Sequence, residues 1–246
     1  YIFFIKNLNL FSSFQFLFLN SLLYSIVIYT INMYMIIEQI LKRRKQVKIF
    51  DKENIPSKKL IYKLVKKAYE LSPSKQNFYP YQVFIIGPEN HYSREIFFDI
   101  LKDTPGGTGN INAWNSPYIL FFCSRLTKEH PDPKIKERIK KGLIYEQLDT
   151  KLFKDYETEI GLEIGMFAKV LTTLCMEQNV DVAYQQCLPE YSKMLKQWQR
   201  LPFIRDLHEV EKVLFCMQLG YDSKTKENDR ELKPNVEEIV KIVKPH

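Results

Sequence analysis

Two stretches constrain this chain more than any others. Tyr118 to Cys123 is apolar throughout, and Val210 to Leu219 is apolar with few breaks before Gly220 ends it. Runs of that length and content read as strands buried in a core. The rest of the sequence supplies one-faced helices to cover such strands. After Pro56-Ser57, apolar residues at Leu60, Ile61, Leu64, Val65, Ala68 and Leu71 repeat with a 3.6-residue period until Ser72-Pro73 stops it. From Glu159 to Gln178, Ile160, Ile164, Phe167, Leu171 and Leu174 share a face, and Gly161 and Gly165 offer a place for close approach. Tyr81 to Ile86 is a β-rich strand closed by Gly87-Pro88, and Val180 to Ala183 is a short one. Residues 36–44, 92–101 and 189–199 read as further helices, and Thr104 to Asn115 as a Gly- and Asn-rich loop.

One domain over residues 35–246 accounts for this pattern. The chain has 246 residues, long enough for a good-sized core. Residues 1–34 stand apart. No charged residue lies between Asn7 and Ile37, and Phe14 to Ile31 has about the length of a membrane-spanning helix. The basic cluster Lys42-Arg43-Arg44-Lys45 follows, as it would beside a membrane anchor. The same stretch also reads as translated AT-rich non-coding sequence with the start at Met33 or Met35, or as a soluble extension. A membrane tether is expected only if residues 1–34 are made.

The formal charge of +7 suits an anionic partner: a phosphate-bearing cofactor, nucleic acid or an anionic membrane. Cys123, Cys175, Cys187 and Cys216 lie far apart with no C-x-x-C spacing, and the four histidines form no ligand pair. No metal site is expected. The cysteines read as structural residues of a protein in a reducing compartment, the cytoplasm.

Three separated segments carry candidate chemistry. Arg44 to Asp51 holds Arg44, Lys45 and Lys48 just after a helix. Ser72 to Tyr81 (SPSKQNFYPY) places hydroxyl, amide and constrained backbone between a helix and a strand. Arg230 and Lys233 sit near the C-terminus, a rigid fork and a point charge for phosphate. Taken alone, each reads equally as a solvated face or a helix stop.

In their order these segments resemble the nitroreductase family, with its R-x-S-x-R-like opening, its P-S-S-x-N-x-Q-P-W segment and its basic R-x-K-P-like ending. Asn110 to Pro117 is similar to the family's Asn-containing loop, Ile164 to Val182 to its central helix and following strand, and Leu219-Gly220-Tyr221 to its L-G-Y ending. The resemblance covers residues 36–243. Gln46 departs from the usual small hydroxyl residue, Lys75 from the second Ser, Tyr81 from Trp and Ser116 from Ala, while Gln185-Gln186 stands where Glu-Gly is frequent.

The resemblance implies an α+β, nitroreductase-like fold with a central mixed or antiparallel sheet flanked by helices, working as a homodimer with FMN at the subunit interface. Arg44, Lys45, Arg230 and Lys233 would hold the FMN phosphate, with Gln46 at its edge and Lys48 beside the N1 and O2 side of the ring. Ser74, Lys75 and Asn77 would reach the flavin from the partner subunit. Asn110 or Asn112 would bond the pyrimidine edge, and backbone groups around Tyr184, Gln185 and Gln186 would approach N5. NADH or NADPH would reduce the flavin, and a nitroaromatic, quinone or similar small-molecule acceptor would reoxidise it. No catalytic side chain is required, because the flavin carries the chemistry. The charged segment 125–157 reads as a lid over the substrate. Two alternatives remain at this level: specialised flavin chemistry on the same fold, such as dehalogenation or flavin breakdown, and a non-catalytic nucleic-acid-binding protein using Lys134 to Lys141 and Arg43-Arg44. No nucleic-acid-binding motif supports the latter.

Overall fold

Four antiparallel strands form the centre of the computed structural model, which describes residues 38–102, 116–125, 131–141, 150–185, 188, 195–205, 207, 212–224 and 239; at positions 76, 139, 150–157 and 195 the description is of the backbone alone. The chain divides into two compact units, residues 1–44 and 45–246. In the first, residues 38–43 are helical (α1), with a Glu38–Lys42 ion pair one turn apart at 2.6 Å. Among the described residues no helix is long and apolar enough to cross a membrane.

In the second unit the strands are β1 (Tyr81–Ile86), β2 (Tyr118–Ser124), β3 (Asp181–Gln185) and β4 (Val213–Gly220), in the spatial order β1-β2-β4-β3. Every neighbouring pair is antiparallel. The mixed-or-antiparallel sheet expected from sequence is thus antiparallel. Among the described residues β1 and β3 are its edges.

Side chains alternate across the pleat, and β2 shows why an uninterrupted apolar run was needed. Tyr118, Leu120 and Phe122 join the core on one face, with α2 (Lys58–Leu71) and the long helix α5 (Thr150–Glu177). Ile119, Phe121 and Cys123 point to the other face, with α3 (His91–Lys102) and the short helices α6 (Leu195–Trp198) and α7 (Pro202–Arg205). With a core on each side, Ile119 to Cys123 are all apolar and fully buried. Each fully buried Phe on the strand is worth roughly 1.5–3 kcal/mol relative to exposure.

Local signals set the helix ends. Ser57 Oγ accepts from the Leu60 amide at 3.2 Å and caps α2, while the Ser72 hydroxyl donates back to Ala68 at 2.6 Å just before Pro73. Asp132 Oδ1 accepts from the Lys134 amide at 2.8 Å and so caps α4 (Pro133–Lys140). That helix lies within the segment read as a lid, and α5 begins at Thr150, nine residues before the expected start at Glu159. Thr150 to Thr158 includes Lys151, Leu152, Lys154 and Glu157, which favour helix by propensity, but its few apolar residues set no one-sided period. β3 and β4 each end one or two residues later than expected. The expected helix 189–199 is described only at Leu195–Trp198. The loop 104–115, residues 1–34 and most of the C-terminal segment lie outside the described residues.

Candidate functional site

The segment after Arg44 is pinned to the β3–β4 side of the sheet. Phe50 bridges Asp222, the Asp51 amide donates to Tyr221 O at 2.8 Å, and the Ser223 amide donates to Ile49 O at 3.0 Å. Val47 and Phe50 bury their side chains with Ala183 of β3. Gly220 makes this approach possible. A Cβ there would sit 2.6 Å from Pro117 Cδ and 2.7 Å from Phe50 Cδ1. The Leu219-Gly220-Tyr221 ending is therefore a packing requirement.

Within the segment, the Gln46 side chain donates from Nε2 to Tyr184 O at 2.8 Å and accepts at Oε1 from the Tyr184 amide at 3.1 Å. Its amide copies the bonding of a neighbouring strand on the outer edge of β3. Gln46→Ala is expected to cost about 1 kcal/mol, since two bonds at an exposed position pass to water, and to speed hydrogen exchange at the Tyr184 amide. Unchanged exchange there would show that the clamp is idle. Lys45 pairs with the buried carboxylate of Asp222, which also has its own amide bonded to Asp181 Oδ2 at 2.9 Å. Lys48 is exposed. Lys45 thus already has an anion, and Lys48 presents its charge outward. Arg44 closes the first unit, its amide donating to Leu41 O at 3.3 Å.

The second candidate segment is held by a residue that sequence reading passed over. Glu163, 4% exposed on α5, accepts the Ser74 hydroxyl at 2.7 Å through Oε2 and the Lys75 amide at 3.0 Å through Oε1. The Ser74 oxygen in turn accepts from the Tyr79 amide at 2.8 Å. The Lys75 ammonium pairs with Glu159, one turn earlier on α5, at 3.4 Å. Ser74 and Lys75 are therefore engaged inside their own chain. Asn77, exposed, closes the 3-10 turn Lys75–Asn77 with φ 55°. Only a pairing of Glu163 with a hydroxyl 89 residues away could have revealed this from sequence, and periodicity contains no such information.

Arg94, also unnoticed in the sequence, buries its guanidinium on α3 and donates to Ser116 O at 2.6 Å and Pro117 O at 3.1 Å. Burial lowers its pKa. The two carbonyls lead into β2, so Arg94 fixes the exit of the Asn-containing loop. Asn110 and Asn112, with Gln186, Arg230 and Lys233, lie outside the described residues.

Gln185 is buried at the end of β3 and pairs in register with Cys216. Gln218, on the same face of the neighbouring strand and opposite Ala183, is 2% exposed, and its Nε2 has no hydrogen-bond partner among the described residues. A buried amide donor without an acceptor calls for an explanation. It lies on the sheet face that carries Val47 and Phe50. The exposed Lys48, with Lys45 beside it, fits a ligand with an anionic end, and FMN has one. Cys123, Cys175 and Cys216 are buried and in no disulfide among the described residues. Burial pushes the Cys175 thiol up to about 12 and Cys216 well above the ordinary thiol range, so both stay protonated and inert. Among the described residues no group of side chains is arranged to hold a metal.

The fold is shared with solved structures. An NAD(P)H:FMN oxidoreductase, so proposed, from Staphylococcus epidermidis superposes with a TM-score of 0.62 at 13% identity, over 84% of this chain and 95% of that one. A nitroreductase-like protein from Streptococcus mutans gives 0.59 at 15% identity, over 87% of this chain and 100% of that one. A nitroreductase with bound FMN from Bacteroides fragilis gives 0.55 at 11% identity, over 85% and 98%. This chain has the nitroreductase fold. At these identities the likeness is one of fold, an antiparallel sheet flanked by helices as the resemblance implied. No protein-family model matches the sequence, and no curated protein does.

Proposed function

We propose that this chain is an FMN-dependent oxidoreductase that takes reducing equivalents from NADH or NADPH and delivers them to a nitroaromatic, quinone or similar acceptor. The observation that carries the reading is the likeness of fold to a nitroreductase with bound FMN over 98% of that protein's length. Bound FMN would supply hydride uptake and release at a site whose protein groups need only bind and orient.

The chain's own residues fill those roles. Arg44, Arg230 and Lys233 carry charge for the phosphate, with Lys45 shared between it and Asp222. Lys48 holds a fixed positive charge for the pyrimidine side of the ring, where negative charge develops on reduction. Gln46 braces the β3 edge, with Gln185 buried at its end. Asn110, Asn112 and Gln186 complete the set. Ser74, Lys75 and Asn77 reach the flavin of a second copy, with Glu163 setting the shape of their loop. The homodimer this requires is supported by α5, where Leu162 is 67% exposed and a Cβ at Gly161 or Gly165 would meet nothing within 4 Å. Both glycines leave a helix face open to close approach. The free, buried thiols agree with a reducing, cytoplasmic setting.

Purified protein is expected to be yellow, to hold FMN, and to bleach on anaerobic addition of NADH or NADPH, with colour restored by a quinone. Lys48→Ala should retain FMN yet make the flavin harder to reduce. A colourless product that added FMN leaves unchanged, and that retards a nucleic-acid probe instead, would overturn the proposal.

A further inference from the structure

Residues 46–50 follow β3 in reverse. Gln46 holds both backbone groups of Tyr184, and Val47 buries its side chain with Ala183. Phe50 bridges Asp222, whose amide is bonded to Asp181 at the start of the strand. Lys48 lies between these anchors and is exposed. On its C-terminal side the backbone is fixed twice, by the Ser223 amide on Ile49 O at 3.0 Å and by the Asp51 amide on Tyr221 O at 2.8 Å. On its N-terminal side the tie to the far end of β3 is Gln46, at 2.8 Å and 3.1 Å.

That tie is stiffer than an ordinary surface contact. The Gln46 amide donates to Tyr184 O and accepts from the Tyr184 N–H together. A flipped amide would set donor against donor and acceptor against acceptor, so only one orientation serves. An amide held in this way holds the residue that carries it. Exposed Gln46 and exposed Lys48 flank the buried Val47, so the backbone that carries the Lys48 charge is pinned on both sides to β3 and to the residues after β4.

With FMN bound as proposed above, the Lys48 charge favours the ring more as negative charge develops on it. Such a preference is steep in distance. For two unit charges about 4 Å apart at an effective dielectric of about 20, a retreat of about 1 Å weakens it about fourfold. We propose, resting on that reading of the function, that Gln46 is a positioning residue. By clamping Tyr184 it sets where the Lys48 charge stands and, through Lys48, the reduction potential of the flavin.

Spectroelectrochemical titration of the FMN-loaded full chain tests this. Gln46→Met keeps the length and neutrality of the side chain and forms neither bond. It should shift the balance from reduced toward oxidised flavin about fourfold, a fall of roughly 20 mV at about 30 mV per tenfold for two electrons. In a Lys48→Ala background the same substitution should leave the potential unmoved. Its effect on the melting temperature should be the same in both backgrounds. A merely structural clamp would give the second result without the first. A potential in Gln46→Met equal to that of the wild type, or an equal fall with Lys48 absent, overturns the proposal while the bound flavin leaves the oxidoreductase reading standing. Protein that takes up no FMN overturns both.

Discussion

Phe167→Ala is expected to lower the unfolding free energy by about 3–5 kcal/mol. Phe167 is 1% exposed and meets two rings edge-on, Phe122 at 5.5 Å and Tyr81 at 5.9 Å between centroids. Each such pair adds about 0.5–1.5 kcal/mol beyond the area it buries. The side chain is the point at which α5 meets both β1 and β2. The sheet is held from behind by the second core, so its strands cannot move in to close the void. Denaturant unfolding should show a lower midpoint with an unchanged slope. A loss below about 1.5 kcal/mol would mean that the helix settles onto the sheet, and the packing argument would be wrong.

The second large effect belongs to Glu163. Glu163→Ala leaves the Ser74 hydroxyl and the Lys75 amide without their acceptor, and a cost of about 3 kcal/mol is expected, because hydrogen bonds to a charged group contribute about 1.5–3 kcal/mol each. Glu163→Gln separates charge from shape. Its Oε1 still accepts from the Lys75 amide, but its Nε2 faces a Ser74 oxygen that already accepts from Tyr79. The Ser74 proton then loses its acceptor, so an intermediate loss is expected. The proposed function adds a second readout. If the Ser74–Asn77 loop reaches the flavin of a second copy, both variants should release FMN more readily than Tyr92→Ala, a change at an exposed position on α3 that leaves the loop alone. Equal FMN affinity in Glu163→Ala and wild type would confine this carboxylate to a structural role.

Much of the fold was legible because burial writes itself into periodicity. β2 and β4 stood out as apolar runs, since both faces of the central strands are covered, and α2 showed its single buried stripe at Ile61, Leu64 and Ala68. The early start of α5 did not show, because its first nine residues carry no one-sided apolar period. The candidate site was legible in a different way. Arg44 to Asp51 and Ser72 to Tyr81 were marked by residue type and order, but their bonding was not. Gln46 was expected at the edge of a phosphate, and within its own chain it clamps a backbone 138 residues away. Ser74 and Lys75 were expected to face a ligand, yet within their own chain they face Glu163 and Glu159. Pairings over such distances depend on how the layers stack, and no local pattern encodes them. Gly220 lies between the two cases. Its place at the end of a strand was visible, while the need for it comes from Phe50 and Pro117, which reach it from two other parts of the chain.

The Gln46 clamp bears on self-association. An outer strand with unpaired amides and carbonyls invites a foreign chain to add itself, the first step toward aggregation. At Tyr184 that invitation is withdrawn by one side chain, which satisfies donor and acceptor together and leaves an incoming backbone no foothold at that residue. Loss of the clamp should therefore surface first as reduced solubility at high protein concentration, ahead of any sizeable drop in melting temperature.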